Sequence, residues 1–187
     1  MFQKKRGRCP FLLAGFAAAF LFGAMASGRC VGVGDGDTVS VKLSRGAVKI
    51  RLEGIDCPEL GQDFGMRAKQ FTSNLVYGKN VQVRPYYPDE YGRIVGRVIV
   101  DGKDVSLEIL RAGLAWHYKR GRYDPALAQA ESAAKRDKKG LWAMPNPVPP
   151  WEYRKPRRKR MDPLSRLSRA GLLVEGTPCR SGTRSLE

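Results

Sequence analysis

From Val31 to Val100 apolar residues recur mostly at every second position, the period of strands with one buried face. Val31/Val33, Val39/Val41/Leu43, Val48/Ile50/Leu52, Val81/Val83 and the run Ile94–Val100 mark five strands. Gly34-Asp35-Gly36-Asp37 and Ser44-Arg45-Gly46 supply the turns that join the first three. After Leu52 the alternation stops: Gly54 interrupts it, and Pro58 cannot continue a ladder and holds Cys57 extended. From Met66 to Tyr77 the spacing turns helical, with Ala68, Phe71 and Leu75 on one face and Gly78 as the stop. Pro85–Gly92 reads as a polar loop between the last two strands. Asp104 caps a second helix (Val105, Leu107, Ile109, Leu110) that ends at Gly113. Asp124-Pro125, an N-cap followed by a first-turn proline, opens a third through Leu127, Ala130 and Ala134 to Gly140. The fold class expected is α+β, a five-stranded OB-type β-barrel with about three helices.

Composition adds a segment at each end. Lys4, Lys5, Arg6 and Arg8 precede a charge-free run from Cys9 to Ala26 that closes on Ala24-Met25-Ala26. Basic start, apolar middle and small-x-small end read as a secretory signal peptide over 1–26, cleaved near Ala26/Ser27, with an uncleaved anchor as the rival. The expected location is therefore secreted or periplasmic, with a membrane partner only if the leader stays. Residues 27–153 make one domain of ordinary size. Four prolines within Pro145–Pro150 close it in an extended segment, and from Arg154 to Glu187 a basic, Ser/Gly/Arg-rich tail is expected to be disordered. The net charge of +16 is uneven: the leader carries +4, the domain +5 (20 basic against 15 acidic) and the tail +7. The domain is thus only moderately basic, and overall charge argues poorly for a nucleic-acid partner. One histidine and no CxxC pair make a zinc site improbable, and no spacing dictates a disulfide among Cys30, Cys57 and Cys179. Cys57 is expected as a small buried or half-buried thiol.

Chemistry concentrates in three stretches. Asp56 and Glu59 lie on the stiff strand exit, with Arg51 five residues before Asp56. Alone, this group fits either a cation-and-anion site or a surface ion-pair cluster. Asp35-Gly36-Asp37-Thr38 precedes it, and Asp89-Glu90-Tyr91-Gly92-Arg93 follows it. In this order and spacing the three resemble the staphylococcal-nuclease (thermonuclease) family, over roughly Cys30 to Tyr153. The resemblance implies the same barrel and a Ca²⁺-dependent endonuclease acting on DNA and/or RNA. It implies one calcium held by Asp37, Asp56 and the backbone carbonyl of Cys57. Carboxylate and carbonyl oxygens suit that hard ion. It makes Glu59 the general base, or the residue that orients the attacking water, and Arg51 and Arg93 the phosphate clamps. A guanidinium fork matches two phosphate oxygens and stays charged at any working pH.

Two features depart from the family pattern: Cys57 stands where threonine is common, and Glu90 where a lysine precedes the tyrosine. Tyr91 resembles the family's phosphate-donating tyrosine. Trp116, Tyr118 and Tyr123 lie among Lys119, Arg120 and Arg122, a mixture suited either to stacking single-stranded bases or to core or rim packing. Tyr91 and Tyr118 are therefore the substrate-binding candidates. The expected partner is nucleic acid, preferably single-stranded; no protein partner is evident and a monomer is expected. The alternative is a non-catalytic OB-fold module that binds single strands. Retention of Asp37, Arg51, Asp56, Glu59 and Arg93 favours the enzyme.

Overall fold

The structure is a computed structural model that describes residues 25–119 and 124–159, with side chains to Lys155. The leader, Tyr123, Cys179 and the tail beyond Lys159 lie outside the described residues. Five strands close a barrel: β1 Ala26–Val33, β2 Thr38–Leu43, β3 Gly46–Leu52, β5 Asn80–Pro88 and β6 Ile94–Val100. Antiparallel pairing runs β3-β2-β1-β5-β6, and a parallel β3–β6 seam at Ile50–Leu52 against Ile94–Gly96 completes the ring. The inward positions of the alternating pattern, among them Val39, Val41, Ile50, Leu52, Val81, Val83 and Val98, are all buried.

Three two-residue strands supplement the barrel. β7 Lys103–Asp104 extends β6, while β4 Ile55–Asp56 pairs with β8 Trp116–His117. The helices are α1 Gly65–Val76, α2 Val105–Arg111 and α3 Pro125–Arg136, followed by a 3₁₀ turn at Gly140–Ala143. Both expected caps form. The Asp104 carboxylate accepts from the Ser106 and Leu107 amides, and the Asp124 carboxylate from the Ala126 amide, with Pro125 in the first turn of α3.

The structure departs from expectation at three places. β5 continues through Pro85 to Pro88, where a loop was expected: Pro85 stands opposite Gly96 next to a bulge whose extra residue is Tyr86, a place where the ladder tolerates a missing donor. Gly96 makes room for that bulge: a Cβ there would stand 2.7 Å from the Arg84 carbonyl. The third helix stops at Arg136 rather than Gly140, because Lys138 (φ 50°) and Gly140 (φ 56°) are left-handed. Finally, residues 154–159 are not irregular but belong to a fourth helix, α4 Pro150–Lys159. The chain divides into two compact units, Met1–Pro150 and Trp151–Glu187. The barrel and the candidate site belong to the first.

Candidate active site

The site is built where the barrel seam meets the strand exit. Arg51 lies opposite Thr38 on β2 and Val95 on β6, so both neighbours fix its backbone. Its guanidinium spans two carboxylates. Nη2 donates to Asp56 Oδ1 at 2.9 Å, and Nη1 forms an ion pair with Asp37 Oδ1. The second Asp37 oxygen accepts from the Cys57 amide at 2.7 Å. Asp37, Arg51, Asp56 and Cys57, distant in sequence, are thereby one cluster. Both aspartates are buried, and the Arg51 side chain is only 17% exposed. Burial alone would lower the guanidinium's pKa, but Asp37 and Asp56 overcome it and hold it above its ordinary value. Arg51 with Asp56 and Arg93 with Asp89 are both ion pairs.

Two supports that sequence reasoning missed hold the Asp37 turn. The buried Thr72 hydroxyl of α1 donates to the Gly36 carbonyl at 2.7 Å. Gly36 itself packs so closely that a Cβ would come within 2.6 Å of Cys57 Cβ and 2.8 Å of Ala68 Cβ. Asp35 closes the turn by accepting from the Asp37 amide at 3.1 Å. Its own pKa is pushed up to about 6, first by burial and then by the charge of Asp37. Burial, with Asp37 adding to it, holds the Cys57 thiol well above the usual range, which leaves it protonated and a poor nucleophile.

Arg93 reaches the cluster through Thr38, its Nη1 lying 3.4 Å from the Thr38 hydroxyl, which in turn lies 3.4 Å from Asp37 Oδ1. Asp89 organises the loop around it, accepting from the Tyr91 amide (3.0 Å), the Arg93 amide (2.9 Å) and Arg93 Nε (2.7 Å). Burial works against those bonds, yet the Asp89 carboxyl remains below its ordinary pKa. Tyr91 is 68% exposed and lies under the Arg93 guanidinium, 5.2 Å from ring centre to Cζ.

Glu59 is half-buried in the loop before α1, where its amide donates to the Gln62 side chain and its carbonyl accepts from the Gln62 amide. Gly65 lets that loop pass, since a Cβ there would stand 1.9 Å from the Glu59 carbonyl oxygen. Tyr118 is half-buried at the end of β8, its amide donating to Gly54 at 2.9 Å. Glu59 thus stands three residues after Asp56, and Tyr118 one residue after the β8 strand that pairs with Ile55–Asp56.

Among the described residues no three His, Cys, Asp or Glu side chains gather as a metal cage. The donors are instead two buried carboxylates that share one guanidinium, beside a third carboxyl, Asp35, whose proton affinity is raised by burial and then by the charge of Asp37. That surplus of negative oxygen fits a hard divalent cation that completes its shell from backbone and solvent.

The staphylococcal nuclease homologue family matches residues 49–144. The chain belongs to that family. The matched span contains Arg51, Asp56, Glu59, Tyr91 and Arg93, and Asp37 precedes it. An uncharacterized endonuclease of Escherichia coli is 46% identical over 128 residues, 68% of this chain and 84% of that protein. An uncharacterized endonuclease of Haemophilus influenzae is 39% identical over 129 residues, 68% and 72% of the two chains. A micrococcal nuclease of Shigella flexneri is 34% identical over 142 residues, 68% and 80%. The barrel of this family member is the one that the resemblance implied.

Proposed function

We propose that this protein is a calcium-dependent endonuclease that hydrolyses phosphodiester bonds of DNA and/or RNA, preferably in single strands. The observation that carries the reading is the Arg51 guanidinium held between the buried carboxylates of Asp37 and Asp56. An arginine so placed is aimed and always charged, and a phosphate brought to it meets a fork that matches two of its oxygens. Asp37, Asp56 and the Cys57 carbonyl would hold Ca²⁺. Bound there, the ion would supply positive charge beside the developing phosphoryl charge. Glu59 accepts a proton from water or orients it for in-line attack. Arg93, preset by Asp89, stabilises the charge building on the leaving oxygen. Names of the relatives that include endonuclease and micrococcal nuclease support the same reaction.

Export follows from the leader-like composition of residues 1–26, and the enzyme would act as a monomer outside the cytoplasm. The test is cleavage of single-stranded DNA and RNA by wild type and Asp56→Ala, with Ca²⁺ and with chelator. Wild type should cut only with Ca²⁺, and Asp56→Ala should need far more of the ion while staying folded. Tight binding of single strands without cleavage in either condition would replace this reading with the binding module. Cleavage that survives chelation would remove the metal from it.

A further inference from the structure

The domain's net charge argues poorly for a nucleic-acid partner, but the placement of that charge argues well. Strands β1, β2 and β3 contain no Asp or Glu, and they carry Arg29, Lys42, Lys49 and Arg51. The unbroken β2–β3 register sets Thr38 opposite Arg51, Ser40 opposite Lys49 and Lys42 opposite Ala47. β1 adds Arg29 opposite Lys42. Residues directly paired across strands, and residues two apart along one, share a face of the sheet. All four basic residues therefore lie on one side, while Cys30, Val39, Val41 and Ile50 on the other side are buried in the core. Arg29, Lys42 and Lys49 are exposed, and none of them makes an ion pair among the described residues.

Two features separate this face from an ordinary solvated surface. One end of it is the candidate site, since Thr38, opposite Arg51, lies 3.4 Å from both Arg93 Nη1 and Asp37 Oδ1. Lys49 follows about 6.6 Å along β3 from Arg51, and the Lys42–Ala47 pair lies about 13 Å along. The second feature is that Arg29 and Lys42 are like charges directly opposite one another, an arrangement that destabilises a sheet. No acidic side chain in the three strands offsets that repulsion, whereas a bound polyanion reverses its sign. We propose that Lys49, Lys42 and Arg29 hold the sugar-phosphate backbone of the single strand beyond the phosphate at Arg51. The strand then leaves the site across the outside of β3 and β2 toward β1. The inference rests on the nuclease reading for its substrate class and goes beyond it in naming where the uncut nucleotides lie. Basic grooves that follow the backbone are a general means of holding single strands. Phosphate contacts carry no sequence information, so this face adds affinity without base preference.

The experiment measures binding of long oligo(dT) by fluorescence anisotropy in EDTA across a salt series, using the full chain. The variant combines Arg29→Gln, Lys42→Gln and Lys49→Gln. A charge-matched control combines Lys103→Gln, Arg136→Gln and Lys138→Gln, three exposed basic residues away from this face. Each phosphate contact to a single strand contributes about 0.7 to the slope of log affinity against log salt. The slope of the triple variant should therefore be shallower by about two, and that of the control nearly unchanged. Oligo(dA) should show the same loss as oligo(dT). Lys49→Gln alone should lose about a third as much, which keeps the test open if the triple variant fails to fold. A triple variant that binds with the wild-type slope, or no more weakly than the control, overturns the proposal and leaves the nuclease reading intact. Weaker binding to phosphatidylglycerol vesicles with unchanged binding to oligo(dT) would give the face to a membrane surface and overturn it equally. A wild type that shows the expected slopes but cuts no strand once Ca²⁺ is supplied would support the track while ending the claim of catalysis.

Discussion

At the scale of single residues the site divides into groups that meet substrate and groups that aim them. Arg93 belongs to the first kind if it meets charge that builds only as the P–O bond breaks. Arg93→Ala should then lower kcat by about 10²–10³ with a smaller change in KM. Arg93→Lys should recover little, since an ammonium lacks the fork. Its pair with Asp89 is partly exposed and carries about 0–1 kcal/mol of stability, so the thermal midpoint should barely move. Near-normal turnover in both variants, measured by steady-state cleavage of single-stranded DNA, would reduce Arg93 to a surface ion-pair residue. Thr72 is of the second kind. Thr72→Val preserves volume but leaves the buried Gly36 carbonyl without this donor, a loss of about 1–3 kcal/mol. Because that carbonyl belongs to the turn before Asp37, the variant should also need more Ca²⁺. Unchanged urea midpoint and Ca²⁺ requirement together would show that the turn is held by other means. The acidic and basic residues of this site were legible in the sequence because charged motifs at fixed spacing announce themselves. Thr72, Gly36 and Gly65 were not, because their roles arise from close approach between segments far apart in the chain.

At the scale of elements, alternation fixed five strands and caps fixed two helix starts, since both are local signals. What escaped were the pieces created by tertiary pairing. β4 and β8 are two residues each, too short for any period, yet they hold Asp56 in register with Trp116. His117, next on β8, is buried beside Ile55, and its amide donates to Glu131 of α3 at 3.0 Å. Burial holds its imidazole below the ordinary value of 6.5, although the charge of Glu131 works the other way. The folded state therefore binds fewer protons than the unfolded chain in the interval below pH 6.5. By linkage, the stability this gives is complete above that pH and is lost as pH falls toward the folded value. The thermal midpoint of wild type should drop between about pH 7 and 5 more steeply than that of His117→Phe, which has no proton to gain. Parallel pH profiles would show that other groups dominate. Nothing local in the sequence marks His117 for burial, because the two-strand sheet that buries it is made by tertiary pairing.

At the scale of the whole molecule the apolar core lies between Cys30 and Leu141, and every buried hydrophobic side chain among the described residues falls in that span. The segment from Trp151 onward forms its own unit, begins in helix α4 and carries ten basic against four acidic residues. A chain ending at Pro150 retains every strand of the barrel, all three of its helices and the Gln62–Val148 contact beside Glu59. It should fold cooperatively and keep its kcat on short oligonucleotides. What it should lose is part of the electrostatic attraction to long polyanions. Each phosphate neutralised by lysine or arginine releases counterions, so removing basic residues flattens the dependence of affinity on salt. The measurement is binding of a long single strand across a salt series for the full chain and the truncated one. A shallower slope with unchanged urea midpoint and unchanged kcat would make the C-terminal unit an accessory grip on nucleic acid, separate from the chemistry. Equal slopes would leave it without that role. A truncated chain that no longer unfolded cooperatively would mean that the barrel depends on residues beyond Pro150, and that the helix starting there completes the nuclease domain rather than following it.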